Sequence, residues 1–269
     1  MADTQVAIVG YGAVGTALHD LFPHAVVYDE PKGLGDRTAV NACRYAFVAV
    51  PTPARPDGSC DTSIVRSVVR WIGAEIIVIR STVSVGTTGE LARETGKRVV
   101  FQPEFGPGET ADHPFASLRM VRWIVLGGER SDTAAVADLY KTVFNAQVVI
   151  QRTTARTAEL VKYMENCYLA LKVAFCNEFF DLASALQVDY DELRELWLLD
   201  PRVERSHTFV RASDRGFGGR CLPKDVSALV HTADSVGVDA IVMRAALESN
   251  AVVRQGRSAN GRTAALPVG

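Results

Sequence analysis

No charge of either sign dominates this chain: 29 basic and 31 acidic residues are mixed along its 269 positions, for a net charge of −2. A dedicated nucleic-acid binder or a polybasic membrane binder carries a concentrated basic surface, so both classes are excluded. Long hydrophobic runs are missing as well. The longest purely aliphatic one, Ile76–Ile79, is far too short to cross a bilayer. Residues 1–10 pass from a short polar start into a strand-like run, without the basic stretch, apolar segment and cleavage site of a secretory signal. The five cysteines (Cys43, Cys60, Cys167, Cys176 and Cys221) are odd in number, scattered and without CxxC spacing. Neither a disulfide framework nor a metal site is expected from them, and reduced thiols point to a cytoplasmic setting. No internal repeat or low-complexity tract is present. What remains is ordinary globular material, 48% hydrophobic and 22% charged, enough for one large domain or two small ones.

Short apolar runs alternate with helix-length segments over the first part of the chain. Strands are expected at residues 5–10, 25–28, 46–50, 75–79, 98–101, 123–126 and 147–150. Helices are expected from the glycines after residue 10 to about Phe22, and at Ile64–Ile72, Val85–Thr95 and Asp132–Phe144. This alternation predicts an α/β domain with a doubly wound, mostly parallel sheet covered on both faces. Near residue 152 the strand signals stop. Ala155 to about Leu186 reads as one long helix rich in Ala, Leu, Glu and Lys, without internal proline or glycine. Shorter helices follow at Tyr190–Leu198, Val226–Val236 and Ile241–Arg254, interrupted by the glycine-rich loop Gly216–Gly219. The expected division is a Rossmann-like domain at 1–152, an all-helical domain at 153–255, and a polar, small-residue tail at 256–269.

Gly10-Tyr11-Gly12-Ala13-Val14-Gly15 fits G-x-G-x-x-G between a strand and a helix. The first glycine permits a tight turn, the second lets backbone approach a pyrophosphate, and the third allows close helix–strand packing. The helix N-terminus then faces the phosphates. Asp29 ends the second strand 19 residues after Gly10, where a carboxylate can bond a ribose 2′-hydroxyl. Glu30 adds negative charge that would repel a 2′-phosphate, so NAD is expected rather than NADP. The competing interpretation is a flavodoxin-like or other α/β protein whose glycines serve only turns. Only 16 residues, Glu30 to Tyr45, separate Asp29 from the next strand, so the usual second helix and third strand are cut down.

A second group of residues has chemistry of its own. Cys221 follows the glycine-rich loop with Arg220 and Lys224 nearby, a setting that favours thiolate and nucleophilic attack. A free cysteine is most often buried and inert, and that is the role expected of the other four. Lys162 and Asn166 are spaced i, i+4 and share a helix face, so they either stabilise an alkoxide or form part of a solvated surface. Glu104 follows a proline at a strand end, where parallel sheets place their ligands; a surface turn is the alternative. Thr82 and Asp225 either hold a water or cap helices.

These residues lie in segments that, in their order along the chain, resemble the UDP-glucose/GDP-mannose 6-dehydrogenase family. The segments are Val50-Pro51-Thr52-Pro53, Ser81-Thr82-Val83-Ser84-Val85-Gly86-Thr87-Thr88, Gln102-Pro103-Glu104-Phe105, Glu159 to Asn166, and Gly216-Phe217-Gly218-Gly219-Arg220-Cys221-Leu222-Pro223-Lys224-Asp225. The resemblance covers about residues 5–255. It implies four-electron oxidation of a sugar-nucleotide primary alcohol through a thiohemiacetal and a thioester on Cys221. Lys162 and Asn166 would stabilise the oxyanion, Thr82 and Asp225 would position water, and Glu104 would assist hydrolysis. By the same resemblance Val50, Pro51, Thr52, Ser81, Thr82, Glu104 and Lys224 join Gly10–Gly15 and Asp29 in binding NAD. Glu104, Phe105, Lys162, Asn166, Phe217, Gly218, Gly219 and Cys221 would meet the substrate, and the long helix would pair two subunits as a homodimer.

Several positions depart from the family pattern. Ser84 stands for proline, Gln102 for asparagine, and Arg220 and Leu222 for serine and phenylalanine, while Gly106-Pro107-Gly108-Glu109 differs from the usual continuation. Only 48 residues follow Cys221, so the family's second Rossmann-like domain, which binds much of the substrate's nucleotide half, is expected to be missing. Two alternatives therefore stand beside the four-electron enzyme. One is a two-electron hydroxyl oxidoreductase or epimerase-type redox enzyme, since a Lys-x-x-x-Asn pair also resembles the β-hydroxyacid dehydrogenases. The other is a non-catalytic NAD-binding partner subunit.

Overall fold

The computed structural model describes residues 5–106, 117–144 and 147–255, and the chain divides into two compact units, Met1–Lys162 and Tyr163–Gly269. The expected tail at 256–269, and Pro107-Gly108-Glu109 in the segment after Phe105, lie outside the described residues.

Unit 1 is built on seven strands: β1 (Val6–Val9), β2 (Val26–Tyr28), β3 (Tyr45–Val48), β4 (Ile76–Ile79), β5 (Arg98–Phe101), β6 (Trp123–Gly127) and β7 (Val149–Thr153). They form one sheet in the order β2-β1-β3-β4-β5-β6-β7. The chain runs from β1 to β2 on one side and returns to β3 on the other, so the topological switch point lies between β1 and β3. Every residue of β1, β3 and β4 is buried, as expected of parallel strands covered on both faces. Alternate side chains feed two cores. Ile8, Phe47, Val78 and Val100 pack on one face with Leu18, Leu126 and Tyr140. Val9, Val48, Ile79 and Phe101 pack on the other with Val65, Val69 and Leu91.

The helices of unit 1 are α1 (Ala13–Leu21), α2 (Arg37–Asn41), α3 (Ser63–Trp71), α4 (Thr87–Thr95) and α5 (Arg130–Lys141), with a 3₁₀ turn at Leu118–Met120. Three details sharpen the expected architecture. The sheet is mostly parallel, as expected, with β6 antiparallel to β5 and β7 parallel to β6. The short connection from β2 to β3 holds a five-residue helix, α2, capped by the Asp36 carboxylate, which accepts from Ala39 N at 2.9 Å. Helix α4 starts at Thr87 rather than Val85, because Gly86 turns the backbone into the left-handed region at φ +103°.

The boundary between the units falls inside α6 (Ala155–Ala185), whose 31 residues match the long helix expected there. Unit 2 also contains α7 (Tyr190–Trp197), α8 (Leu222–Ser235) and α9 (Ile241–Arg254). Phe217, Val226 and Ala246 pack with Cys167, Ala170 and Ala174 of α6 to form its main core. Helix α8 begins four residues earlier than expected, with Pro223 in its first turn, which puts Cys221 at the N-cap.

Candidate active site

The glycine turn is built by close approach. Gly10 has φ +95°, and a Cβ there would sit 2.5 Å from Ala49 O. A Cβ on Gly15 would fall 2.0 Å from Gly10 O, so the third glycine lets α1 come down on the turn. Gly12, the N-cap of α1, faces open space. The cradle therefore offers unobstructed backbone at a helix N-terminus, which fits a pyrophosphate. The Asp29 carboxylate accepts from Tyr11 N at 2.7 Å and Lys32 N at 3.1 Å, which pins it beside the glycine turn. Lys32 Nζ reaches back to donate to Tyr11 O at 2.6 Å. Glu30 pairs with Arg37 at 3.3 Å on the surface, so its charge is partly offset.

Other members of unit 1 gather at the carboxyl ends of β3, β4 and β5. Ser81 Oγ donates to Val50 O at 2.7 Å, tying the segment after β4 to the Val50-Pro51-Thr52 segment after β3. Thr52 and Ser81 are buried, and Thr82 is half-buried with its carbonyl accepting from Cys60 Sγ. Glu104 is not a free surface group. Its carboxylate is paired with the guanidinium of Arg80, and Oε1 also accepts from Gly106 N at 2.9 Å. Burial pushes the Arg80 pKa down, and its Nε has no hydrogen-bond partner among the described residues. Gln102 accepts from Tyr140 OH at 2.5 Å. Lys162 is buried, with its ammonium 5.6 Å from the centre of the Phe105 ring, which is the geometry of a cation–π contact. A solvated helix face is thereby excluded for Lys162.

The second group lies within unit 2. Asn166, four residues beyond Lys162 on α6, donates to Asp225 Oδ2 at 2.5 Å; both side chains are buried. Lys224 Nζ pairs with Asp225 Oδ1 at 2.5 Å. Cys221 is exposed at the start of α8, while the other four cysteines are buried. Burial, then the Asp225 charge, pushes the Cys167 thiol up to about 12, so it stays protonated and inert near neutrality. The glycine-rich loop is held by Asn250 of α9, which accepts from Phe217 N at 2.7 Å and donates to Phe217 O at 2.9 Å. A Cβ on Gly216 would meet Asn250 Oδ1 at 2.4 Å, and one on Gly218 would meet Arg254 Nη1 at 2.7 Å. Gly219, like Gly216, has a positive φ. Arg220 is exposed beside Cys221.

Arg80, Lys32 and Asn250 escaped the sequence reading. Lys32, three residues after Asp29, carried a local signal in its spacing. Arg80 and Asn250 act on partners 24 and 33 residues away, which no local pattern reveals.

Fold and site together define a dinucleotide-binding α/β unit followed by a helical unit bearing an exposed cysteine at a helix N-terminus. Residues 34–145 match the NAD binding domain of the UDP-glucose/GDP-mannose dehydrogenase family, and residues 156–252 match that family's central domain. The chain belongs to this family. It is 37% identical over 213 residues to UDP-glucose 6-dehydrogenase of Rhizobium meliloti (strain 1021), a match covering 73% of this chain and 47% of that protein. It is 30% identical over 227 residues to UDP-glucose 6-dehydrogenase TuaD of Bacillus subtilis (strain 168), covering 79% and 47%. Among solved structures, a UDP-glucose dehydrogenase from the hyperthermophilic archaeon Pyrobaculum islandicum superposes with a TM-score of 0.78 at 29% identity, covering 91% of this chain and 67% of that one. The chain thus spans about half the length of the curated relatives it matches. The family's NAD-domain match begins at residue 34, so the glycine turn and Asp29 rest on their own geometry.

Proposed function

We propose that the chain uses NAD to oxidise a primary alcohol of a sugar nucleotide, or of a related nucleotide or sugar, in two hydride steps to the carboxylate. The observation that carries this reading is Cys221, exposed at the N-cap of α8 and four residues before a buried Asp225 that is bonded to Asn166. The N-terminus of a helix stabilises negative charge on an adjacent sulfur or oxygen.

NAD, when bound, supplies the hydride acceptor for each oxidation. Gly10–Gly15 and Asp29 would hold its pyrophosphate and ribose, and Val50, Pro51, Thr52, Ser81, Thr82 and Glu104 would line its site in unit 1; Lys224 is the residue that the family likeness assigns to it in unit 2. The Lys162 ammonium and the Asn166 amide stabilise the alkoxide as hydride leaves the carbinol carbon. Sγ of Cys221 then adds to the resulting aldehyde carbon, and the carbonyl oxygen takes up a proton to give a thiohemiacetal. Loss of a second hydride from that carbon and of the hydroxyl proton leaves a thioester. Water attacks the thioester; Thr82 and Glu104 in unit 1 and Asp225 in unit 2 are the residues that the family likeness assigns to this step. The C–S bond breaks, the acid leaves and Cys221 recovers its proton. Phe105 in unit 1 and, in unit 2, the Phe217–Gly219 loop are the residues that the family likeness assigns to the substrate.

No helix of the described residues is long and apolar enough to cross a membrane, and cytoplasmic residence goes with the reduced cysteines. A homodimer through α6 is supported by the apolar side chains exposed along that helix.

The test is a thermal-shift screen of nucleotide sugars, sugar phosphates and nucleosides with NAD present, in which true ligands stabilise by mass action. NADH is then counted for each hit. The expected result is two NADH per substrate, with Cys221→Ser abolishing acid formation. One NADH with a stable carbonyl product, or unaltered turnover by Cys221→Ala, overturns the four-electron reaction.

A further inference from the structure

Glu159 lies in the first turns of α6 and is completely buried, yet it takes no part in the chemistry described above. Its carboxylate crosses to the start of α4. Oε2 accepts from Gly86 N at 2.6 Å and Oε1 from Thr88 N at 2.9 Å. Helix α4 has no side-chain cap of its own at Gly86, so a residue 73 positions away satisfies amides that a helix start leaves orphaned. A buried carboxylate is costly unless it is hydrogen-bonded; two N–H groups and the positive end of a helix dipole offset part of that cost here, while burial still pushes the Glu159 pKa up.

The placement matters because of what stands on either side. Gly86 ends the segment that begins at Ser81 and includes Thr82, and Val83 within it is fully buried. Lys162 lies three residues after Glu159, about one turn further along α6. The preceding residue, Ala158, is fully buried and packs so closely on Gly127 that a Cβ there would come within 2.5 Å of the Ala158 methyl. Consecutive contacts thus seat the start of α6: Ala158 on the end of β6, Glu159 on α4, and Lys162 over Phe105.

We propose that Glu159 is a positioning residue that clamps the Ser81–Gly86 segment to the first turns of α6, fixing the backbone that carries Thr82 against the turn that carries Lys162. This rests on the roles given to Thr82 and Lys162 above. The charge of Glu159 faces backbone dipoles rather than the reacting atoms, so it acts only through those two residues.

The experiment uses the full chain with Glu159→Gln, nearly the same shape, and Glu159→Met, which leaves both amides unanswered. In Glu159→Gln, kcat falls by about tenfold or more while KM for NAD stays within about twofold, because a misplaced catalytic group costs the transition state and not cofactor binding. Amide hydrogen exchange reads the clamp without turnover. In both variants Gly86, Thr88 and the first turns of α6 exchange faster together, while β1, β3 and β4 keep their protection. Faster exchange confined to Gly86–Thr88, wild-type kcat in Glu159→Gln, or global unfolding of unit 1 in that variant overturns the proposal. Should the wild-type chain turn over no substrate, the proposed reaction fails by itself and the exchange pattern still decides the clamp.

Discussion

Arg80 carries its charge into a place where its side chain is 3% exposed, and Glu104, 12% exposed, meets it there. Removing two charges from water costs several kcal/mol per ion, and the mutual attraction offsets that only while both partners are present. Breaking such a pair at one end leaves the other buried and uncompensated, at about 3–5 kcal/mol. Arg80→Met should therefore destabilise the chain by an amount in that range, and Glu104→Gln should do so as well. The double variant should lose clearly less than the sum of the two, because no orphan charge remains. Urea unfolding of the four proteins measures the coupling, and strict additivity would show that the pair contributes nothing as a pair. The same geometry restricts what Glu104 can do in the proposed reaction. A carboxylate held by a guanidinium and by Gly106 N can orient a water or accept one further hydrogen bond, but it is not a freely moving base.

At the scale of elements, the glycine-rich loop before Cys221 depends on α9. Asn250 is 8% exposed and makes both backbone bonds of Phe217, so Asn250→Ala leaves a buried N–H and a buried C=O unanswered. Each such orphan costs about 1–3 kcal/mol. The expected outcome is a lower melting temperature and faster amide exchange at Phe217; unchanged exchange there would mean that the loop holds itself. The loop itself was legible, since the glycines of Gly216–Gly219 followed by Arg220 and Cys221 do not read as a regular core element, but the residue that holds it was not. The strands were equally legible. A fully buried strand such as Ile76–Ile79 must be apolar on both faces, and its run of four aliphatics shows that directly. The antiparallel turn-over of β6 was hidden, because strand direction is decided by the path of the connection and not by side chains. Helix α2 is the cut-down second helix that the short connection implied, and at five residues it is too short for a periodic signal that would place it. The early start of α8 had a readable mark in Pro223, a residue favoured in a first helical turn. Burial of Lys162 could not be read from spacing at all, since an amphipathic surface and a buried polar position share the same i, i+4 pattern.

At the scale of the whole molecule, a long unburied apolar feature among the described residues runs along α6. Leu160, Met164, Tyr168, Phe175, Phe179 and Leu182 are between 41% and 73% exposed and recur at helical spacing, so they form one stripe. Trp197 joins it beside Phe175, with their ring centroids 5.7 Å apart. A helix of 31 residues is about 46 Å long, enough for a stable pairing surface of roughly 800 Å² on each partner. Isolated exposed apolar residues are normal, but a continuous stripe of this length marks an interaction face. The proposed homodimer is the occupant that needs no second gene product, and two copies of the stripe related by a two-fold axis would cover each other. Sedimentation of the purified chain should give a dimer. Replacing Met164 and Leu182 together with Glu places like charges across that axis, and should yield a monomer whose circular dichroism is unchanged, since both side chains are more than half exposed in the single chain. If the wild-type chain sediments as a monomer at tens of micromolar, or the doubly charged variant remains a dimer, the α6 stripe is not the pairing surface. In the first case, the stripe would belong to an interaction with a different chain.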